Sequence, residues 1–432
     1  MSIINILVFI IFALLFYAGF RFSRLVYRNY FAPPGLFFGM NFASLALYQL
    51  HLLPLTQVSF QTYLLITLSM LSFFVGILMA SPYFALKGKT LLKYSLFYSA
   101  DIGNPSGLCL FYYFTSSLSI LGYIYFIKFV VPPGWISQLW ILQSQVVPNH
   151  MGYLILLGAL VPPSFVLLAL VRHKVTLLSF CFLLVNIVAL AFIGIKSYLV
   201  IGLATALLTW AAVRAGRIRI KHLVILATCL IGFMVFYDSI IDIFGSFQFA
   251  GSRFPAMLSF LERPYLYIVG SWPAMSVAMS TQLKLPYFGQ VTLEPVWKIL
   301  GPGGLGIIME RVSQYEPFVN IGPSYFNVYS LIGDIYLDYG WLGSIFGCFI
   351  LGFISTKLYI KAYKRGDWVL YLLSAIFSYG LFISFFAYYY RSNLIFLLLY
   401  ALIVGRLSKR LSTALNRHKI WIHKPLVTKR ST

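Results

Sequence analysis

Apolar stretches of about 17–25 residues, the length a helix needs to cross the hydrocarbon core of a bilayer, recur from one end of this chain to the other. They fall near residues 3–20, 34–53, 62–80, 108–131, 151–171, 176–195, 197–213, 222–241, 337–357, 368–388 and 392–406. In hydrocarbon every backbone N–H and C=O must find its partner inside the protein, and a helix does this within one segment. Composition agrees. The 432 residues are 60% hydrophobic and 10% charged, with mean hydropathy +0.87, whereas an ordinary soluble domain carries roughly a quarter charged residues. The sequence therefore specifies an all-α polytopic integral membrane protein with about eleven transmembrane helices and one large outer loop containing short interfacial helices.

Orientation follows from the basic residues, which concentrate on the cytoplasmic side of membrane proteins. With the N-terminus outside, 24 of the 32 Lys and Arg lie cytoplasmic, in clusters at Arg21–Arg28, Lys87–Lys93, Arg172–Lys174, Arg214–Lys221, Lys357–Arg365 and Arg406–Arg430. The other eight are Lys128, Lys196, Arg253, Arg263, Lys284, Lys298, Arg311 and Arg391. Alternating spans put every basic cluster on one side. The first apolar run precedes its positive charges, the reverse of a cleaved signal peptide, and reads as a retained helix. The chain thus divides into helices 1–8 over 1–241, a large extracytoplasmic loop at 242–336, helices 9–11 over 337–406, and a basic, poorly ordered cytoplasmic tail at 407–432. The net charge of +22 is a topology signal and an anionic-lipid contact, not a nucleic-acid footprint. Cys109, Cys181, Cys229 and Cys348 lie in apolar runs without CxxC spacing, which argues against a disulfide framework or a zinc site.

The acids mark the chemically active face. Asp238, Asp242, Glu262, Glu294, Glu310, Glu316, Asp334 and Asp338 lie in or beside the outer loop, and only Asp101 and Asp367 lie elsewhere. Within the loop, Phe254–Ser280 is interrupted by Pro264 and Pro273 and reads as a broken helix on or dipping into the outer leaflet. Arg253 and Arg263 flank it. A guanidinium takes phosphate oxygens in a bidentate fork, so these two residues are candidates for a lipid diphosphate, or else contact phospholipid headgroups or Glu262. Lys196 in a tight outer turn is either a further anion contact or a snorkelling lysine. Asp334 and Asp338 are four apart and share a helix face near the outer edge of a span, where a partly desolvated carboxylate suits a general base; the alternative is a pair of acids favoured by the helix dipole. Glu262 is the next candidate base. Arg391 follows Tyr388-Tyr389-Tyr390, which read as an aromatic belt. Tyr267, Tyr325 and Asn327 are candidates for contact with a glycan.

Two stretches carry a resemblance. Gly322–Gly352 contains Asn327-Val328-Tyr329-Ser330 and Asp338-Tyr339-Gly340, and Gly289–Leu300 contains a Gly-x-x-Thr segment with Leu293 after Thr292. They resemble the Asn-Val-Tyr-Thr, Asp-Phe-Gly and Gly-x-x-Thr-Phe patterns of Wzy-type O-antigen (oligosaccharide repeat-unit) polymerases, with Ser330, Tyr339 and Leu293 as departures. Gly194-Ile195-Lys196-Ser197 is a weaker match to a Gly-Ser-Arg pattern. The resemblance implies a metal-independent, cofactor-free glycosyltransferase of the bacterial inner membrane, with the N-terminus periplasmic and the C-terminus cytoplasmic. It would move a growing glycan from undecaprenyl diphosphate onto a new lipid-linked repeat unit, with membrane lipids and a chain-length regulator protein as further partners. Arg253, Arg263, Lys196 and Arg391 would stabilise the leaving diphosphate, and Asp338 or Asp334 would take the proton, with inversion by single displacement. Two other readings stand beside it. An O-antigen ligase is expected to carry a His in the outer loop, and no His lies between His222 and His418. A flippase favours charges at mid-membrane depth and an internal repeat.

The alternation of basic clusters generates a direct test. Reporter fusions at Ala215 and Lys364 are expected to read cytoplasmic and one at Gln290 external. A cytoplasmic signal at Gln290 overturns the topology.

Overall fold

The computed structural model describes residues 3–81, 105–129, 149–172, 175–192, 196–214, 251–254, 259, 261–283, 285, 288–296 and 317–422. Their helices are α1 (Ile3–Phe22), α2 (Pro33–Tyr48), α3 (Phe60–Ala80), α4 (Pro105–Phe129), α5 (Asn149–Leu156), α6 (Val161–Arg172), α7 (Leu177–Phe192), α8 (Lys196–Val213), α9 (Glu262–Val269), α10 (Ser271–Ser280), α11 (Ser330–Arg365), α12 (Trp368–Phe382) and α13 (Ser392–Ile422). A 3₁₀ turn, Leu157–Leu160, joins α5 to α6. Strands β1 (Val319–Asn320) and β2 (Tyr325–Phe326) form an antiparallel pair, Val319 opposite Phe326 and Asn320 opposite Tyr325. Five helical stretches among the described residues are long and apolar enough to cross a membrane: Leu7–Tyr27, Phe60–Ala80, Pro105–Phe129, Gly152–Val171 and Ser330–Arg365. They mark a membrane-embedded protein. The expected span at 222–241 and much of the expected outer loop lie outside the described residues.

Two features differ from the sequence reading. The C-terminal tail is helical through Ile422, because nothing between Arg406 and Pro425 breaks a helix and Pro425 is the first residue whose ring disfavours the helical conformation before it. The broken helix, expected on or dipping into the outer leaflet, is two short helices packed into protein. Pro264 and Pro273 fall in the first turns of α9 and α10, where a missing N–H costs nothing, and α10 buries nearly every side chain from Ser271 to Met279. Irregular backbone in an apolar setting is tolerated where protein covers it.

The contacts divide the chain into two compact units. The first holds Met1–Phe97, Arg214–Lys361 and Phe377–Ile395, the second Tyr98–Val213, Ala362–Ile376 and Phe396–Thr432.

In the first unit α1 packs on α2 and α3, α9 on α2, and α10 on α3 and β1. Buried hydroxyls join the pieces. Trp272 Nε1 donates to Ser44 Oγ (2.8 Å), which donates to Ile268 O (2.6 Å). The Tyr265 hydroxyl donates to Leu47 O (2.9 Å) and accepts from Leu52 N (3.4 Å); burial holds that phenol above its ordinary range although the Leu52 N–H works the other way. Helices α3 and α11 approach closely. A Cβ on Gly76 would collide with Phe349 O, and one on Gly352 with Phe73 O, while Ser72 Oγ donates to Ile345 O (2.7 Å). Lipid supplies no hydrophobic drive between helices, so small residues that let backbones meet carry such seams.

In the second unit α4 is central, packing on α5, α6, α7 and the 3₁₀ turn, and α8 packs on α6 and α7. Asn186 Nδ2 donates to Ser116 Oγ (2.8 Å), and Tyr112 OH to Ser179 O (2.6 Å). Lys409 Nζ pairs with Asp367 Oδ2 at 3.0 Å, and the other Asp367 oxygen caps Val369 N (3.1 Å).

The α3–α11 seam predicts opposite outcomes for one substitution at two helical glycines. Gly76→Ala is expected to lower the thermal unfolding temperature of the detergent-solubilised protein, since overpacking costs about 1–3 kcal/mol. Gly39→Ala, whose Cβ would have only Phe16 Cε2 at 3.8 Å, is expected to hold or raise it by helix propensity.

Candidate functional site

The first turn of α11 begins in strain and is stitched to the segment that follows α12. Ser330 has φ +63, a left-handed conformation costing a non-glycine residue about 1–3 kcal/mol. What holds it there is hydrogen bonding. First-turn N–H groups have no acceptor inside their own helix; Ser330 N donates to Phe386 O (2.9 Å) and Leu331 N to Ser384 O (2.8 Å), while Gly333 N donates to Ser330 Oγ (3.2 Å). Segment 384–386 is fixed in turn by Asn41 Nδ2 on Ser384 Oγ (2.8 Å) and Ser271 Oγ on Phe385 O (2.5 Å).

One turn along α11, Asp334 is fully buried. Its Oδ2 accepts Tyr388 N at 2.7 Å and faces Arg391 Nη2 at 3.6 Å, while Arg391 Nε donates to Tyr388 O (3.0 Å). Carboxylate, peptide and guanidinium form a closed triangle, and the arginine side chain remains 31% exposed. Of the Tyr388–Tyr390 run, Tyr388 and Tyr389 are half-buried, and Tyr390 is buried against protein, its ring over Gly380 and its hydroxyl donating to Phe377 O (2.9 Å).

One turn further, Asp338 meets the Gly289–Val296 segment. Its Oδ2 accepts Thr292 N (2.7 Å), Thr292 Oγ1 (2.7 Å) and Val291 N (3.2 Å), and among the described residues its Oδ1 accepts only Val291 N (3.2 Å). Thr292 Oγ1 also lies 2.6 Å from the Tyr339 hydroxyl. Gly289 makes the approach possible. It has φ +67, and a Cβ there would come within 2.7 Å of the Tyr339 oxygen. Gly340 then adopts φ 68, ψ −159 inside α11, a region open essentially to glycine, and kinks the helix directly after Asp338 and Tyr339. Phe288, 71% exposed, sets its ring edge-on to Tyr339 at 4.8 Å. Arg391 acts electrostatically on Asp338, and Asp338 and Tyr339 act on the Tyr388 phenol, so the two turns form one polar cluster.

The remaining candidates are placed as follows. Arg253 is exposed, its backbone N–H bonded to Leu52 O (2.9 Å). Glu262 is buried at the first position of α9, with Arg263 half-buried beside it. Tyr267 is exposed, its ring near Phe326 and Phe386. Tyr325 lies exposed on β2 and Asn327 half-buried just after it. All of these belong to the first unit, whereas Lys196 opens α8 in the second; its side chain lies outside the described residues. The structure joins Asp334 to Arg391 and Asp338 to Thr292, and among the described residues no ion pair joins Arg253 to either carboxylate. Three participants carried no role in the sequence reading: Thr292, Tyr339 and the Tyr388 peptide. The Gly-x-x-Thr spacing was the available signal for Thr292, whereas nothing in a tyrosine run announces a backbone N–H.

Among the described residues no three His, Cys, Asp or Glu side chains gather as a metal-binding group. Comparison of the chain with models of known families, with characterised proteins and with solved structures returned no match. Fold and cluster define a class, a helical membrane-embedded protein with a preorganised carboxylate–arginine site.

The Asp334–Arg391 pair predicts energetic coupling. In a double-mutant cycle of Asp334→Asn and Arg391→Gln, read by thermal unfolding in detergent, the coupling is expected at about 1–3 kcal/mol. Strictly additive costs would show that the two charges do not depend on each other.

Proposed function

We propose that this protein is a polysaccharide polymerase of the bacterial cytoplasmic membrane. It transfers a growing glycan from undecaprenyl diphosphate onto a new lipid-linked repeat unit, for O-antigen, capsule or a similar surface polymer. The proposal includes the eleven-span topology with the N-terminus outside, which puts the acid-bearing loop and both carboxylates on the outer face.

One observation carries the reading. The two sequence segments that resemble the polymerase family, Gly289–Leu300 and the Asp338-Tyr339-Gly340 run, are bonded to each other through Thr292. Each motif residue has a physical task there: Gly289 permits the approach, Thr292 and Val291 donate, Asp338 receives, and Gly340 turns the helix away.

The chemistry follows from the donors and acceptors. The acceptor sugar's hydroxyl attacks the anomeric carbon of the growing glycan, the new glycosidic bond forms, and the bond from that carbon to the diphosphate oxygen breaks. Undecaprenyl diphosphate leaves with the electron pair, and the hydroxyl proton passes to Asp338. A carboxylate has about four lone-pair sites, and the three contacts on Oδ2 leave Oδ1, with its single long contact, as the atom able to take that proton. Arg391, gripped from behind by Asp334 and Tyr388 O and partly exposed in front, suits the developing negative charge on the diphosphate. Arg253 and Arg263 are further candidates for the same anion on the same unit.

Deletion of the gene is expected to collapse the surface polysaccharide ladder to one repeat unit on its acceptor core, whereas loss of every unit would point to a ligase or a flippase. In a purified assay Asp338→Asn, which keeps the shape and removes the basicity, is expected to slow chain extension about 10²–10⁴-fold while the protein still accumulates. Extension at the wild-type rate would remove Asp338 from the role of base.

A further inference from the structure

The Gly289–Val296 segment is a receptor for a single side chain. Its turn is closed by Leu293 N on Gly289 O (2.8 Å), which turns two consecutive amides, Val291 and Thr292, toward one carboxylate. Successive N–H groups of this kind make an anion-binding concavity, and Asp338 fills it. The hydroxyl of Thr292 adds a third donor. It has one hydrogen and two neighbours, Asp338 Oδ2 at 2.7 Å and the Tyr339 oxygen at 2.6 Å. The two oxygens compete for that hydrogen, and the charge-assisted bond to the carboxylate is the stronger, so the Thr292 hydrogen points to Asp338 with the Tyr339 oxygen as the weaker acceptor beside it. Among the described residues every short contact on the carboxylate falls on Oδ2.

We infer that Thr292 is a positioning residue for Asp338, and that its amide and hydroxyl together present Oδ1 rather than Oδ2 to the incoming sugar hydroxyl. The inference rests on the proposed role of Asp338 as base. Thr292 touches neither the sugar nor the diphosphate in this scheme. It fixes the rotation of the carboxyl group, and a misplacement of about 1 Å costs on the order of a hundredfold in rate. The packing around it is close: a side chain at Gly289 would reach the Tyr339 oxygen, which lies against the Thr292 hydroxyl.

The test is steady-state chain extension by the purified full-length protein, with undecaprenyl-diphosphate-linked repeat unit isolated from the deletion strain as the probe. Thr292→Val keeps the shape and loses the hydroxyl; it is expected to lower kcat about a hundredfold with the acceptor KM unchanged, the signature of an interaction made only in the transition state. Thr292→Ser restores the hydroxyl and is expected to recover most of the rate, and Tyr339→Phe to lose less than Thr292→Val. Thr292→Val at the wild-type rate, with Asp338→Asn inactive, overturns the positioning role and leaves the base in place. Equal losses in Thr292→Val and Thr292→Ser mean packing, and also overturn it. Wild-type rates in both Thr292→Val and Asp338→Asn overturn the base and this inference together. Should Thr292→Val fail to accumulate, Thr292→Ala takes its place, and a wild-type rate there rejects the positioning role.

Discussion

A backbone amide buried in an apolar medium has to find an acceptor inside the protein, and the first described unit is organised by that demand. Its regular helices meet it alone. Its irregular pieces, the start of α11 and the stretch from Ile383 to Arg391, meet it by pairing with each other: Ser330 with Phe386, Leu331 with Ser384, and Tyr388 with the Asp334 carboxylate. The left-handed Ser330 is the conformational cost of that arrangement. Because these bonds are made in a water-poor setting, they are stronger there and more costly to lose, and they fix where α11 begins. Asp334 and Asp338 take their positions from that starting point.

Two neighbouring carboxylates on one helix face are thereby given different surroundings. Asp334 is fully buried and is matched by a charge, Arg391, and by a peptide N–H. Asp338 is half-buried and is matched by two peptide N–H groups and a hydroxyl, with one oxygen lightly occupied. The first environment suits an anchor, because a buried charge without its partner is strongly destabilising. The second suits a group that changes protonation during a reaction, because it is oriented by neutral donors and still reachable. The glycines at 289 and 340 set the geometry from opposite sides, one by allowing close approach and the other by ending the straight helix after Tyr339.

Much of this architecture was legible from composition and periodicity alone. Apolar runs of span length announced helices, and they lie at or near α1–α4, α6–α8 and α11–α13, because hydrocarbon leaves an apolar segment few alternatives. The reading was less successful wherever tertiary cover mattered. Pro264 and Pro273 suggested a broken helix on or dipping into the outer leaflet, and both fit the first turns of helices buried in protein. Tyr390 looked like an interfacial anchor, but packs onto Gly380. The basic tail looked unstructured, but continues α13 to Ile422. In each case the local residues permitted two outcomes, and the neighbours selected one.

The candidate site divides along the same line. Sequence alone singled out Asp334, Asp338 and Arg391, because scarce charge near the end of an apolar span is conspicuous and expensive. It also marked Gly289-x-x-Thr292 and Asp338-Tyr339-Gly340 as segments of note. It could not pair Asp334 with Arg391, 57 positions apart (391 − 334), nor Asp338 with Thr292, 46 positions apart. Neither spacing follows a helical or strand period, and such pairings arise only when separate elements are packed together. The roles of the Val291, Thr292 and Tyr388 amides were hidden for a simpler reason: every residue except proline carries the same N–H, so only the folded backbone decides which of them meets a carboxylate.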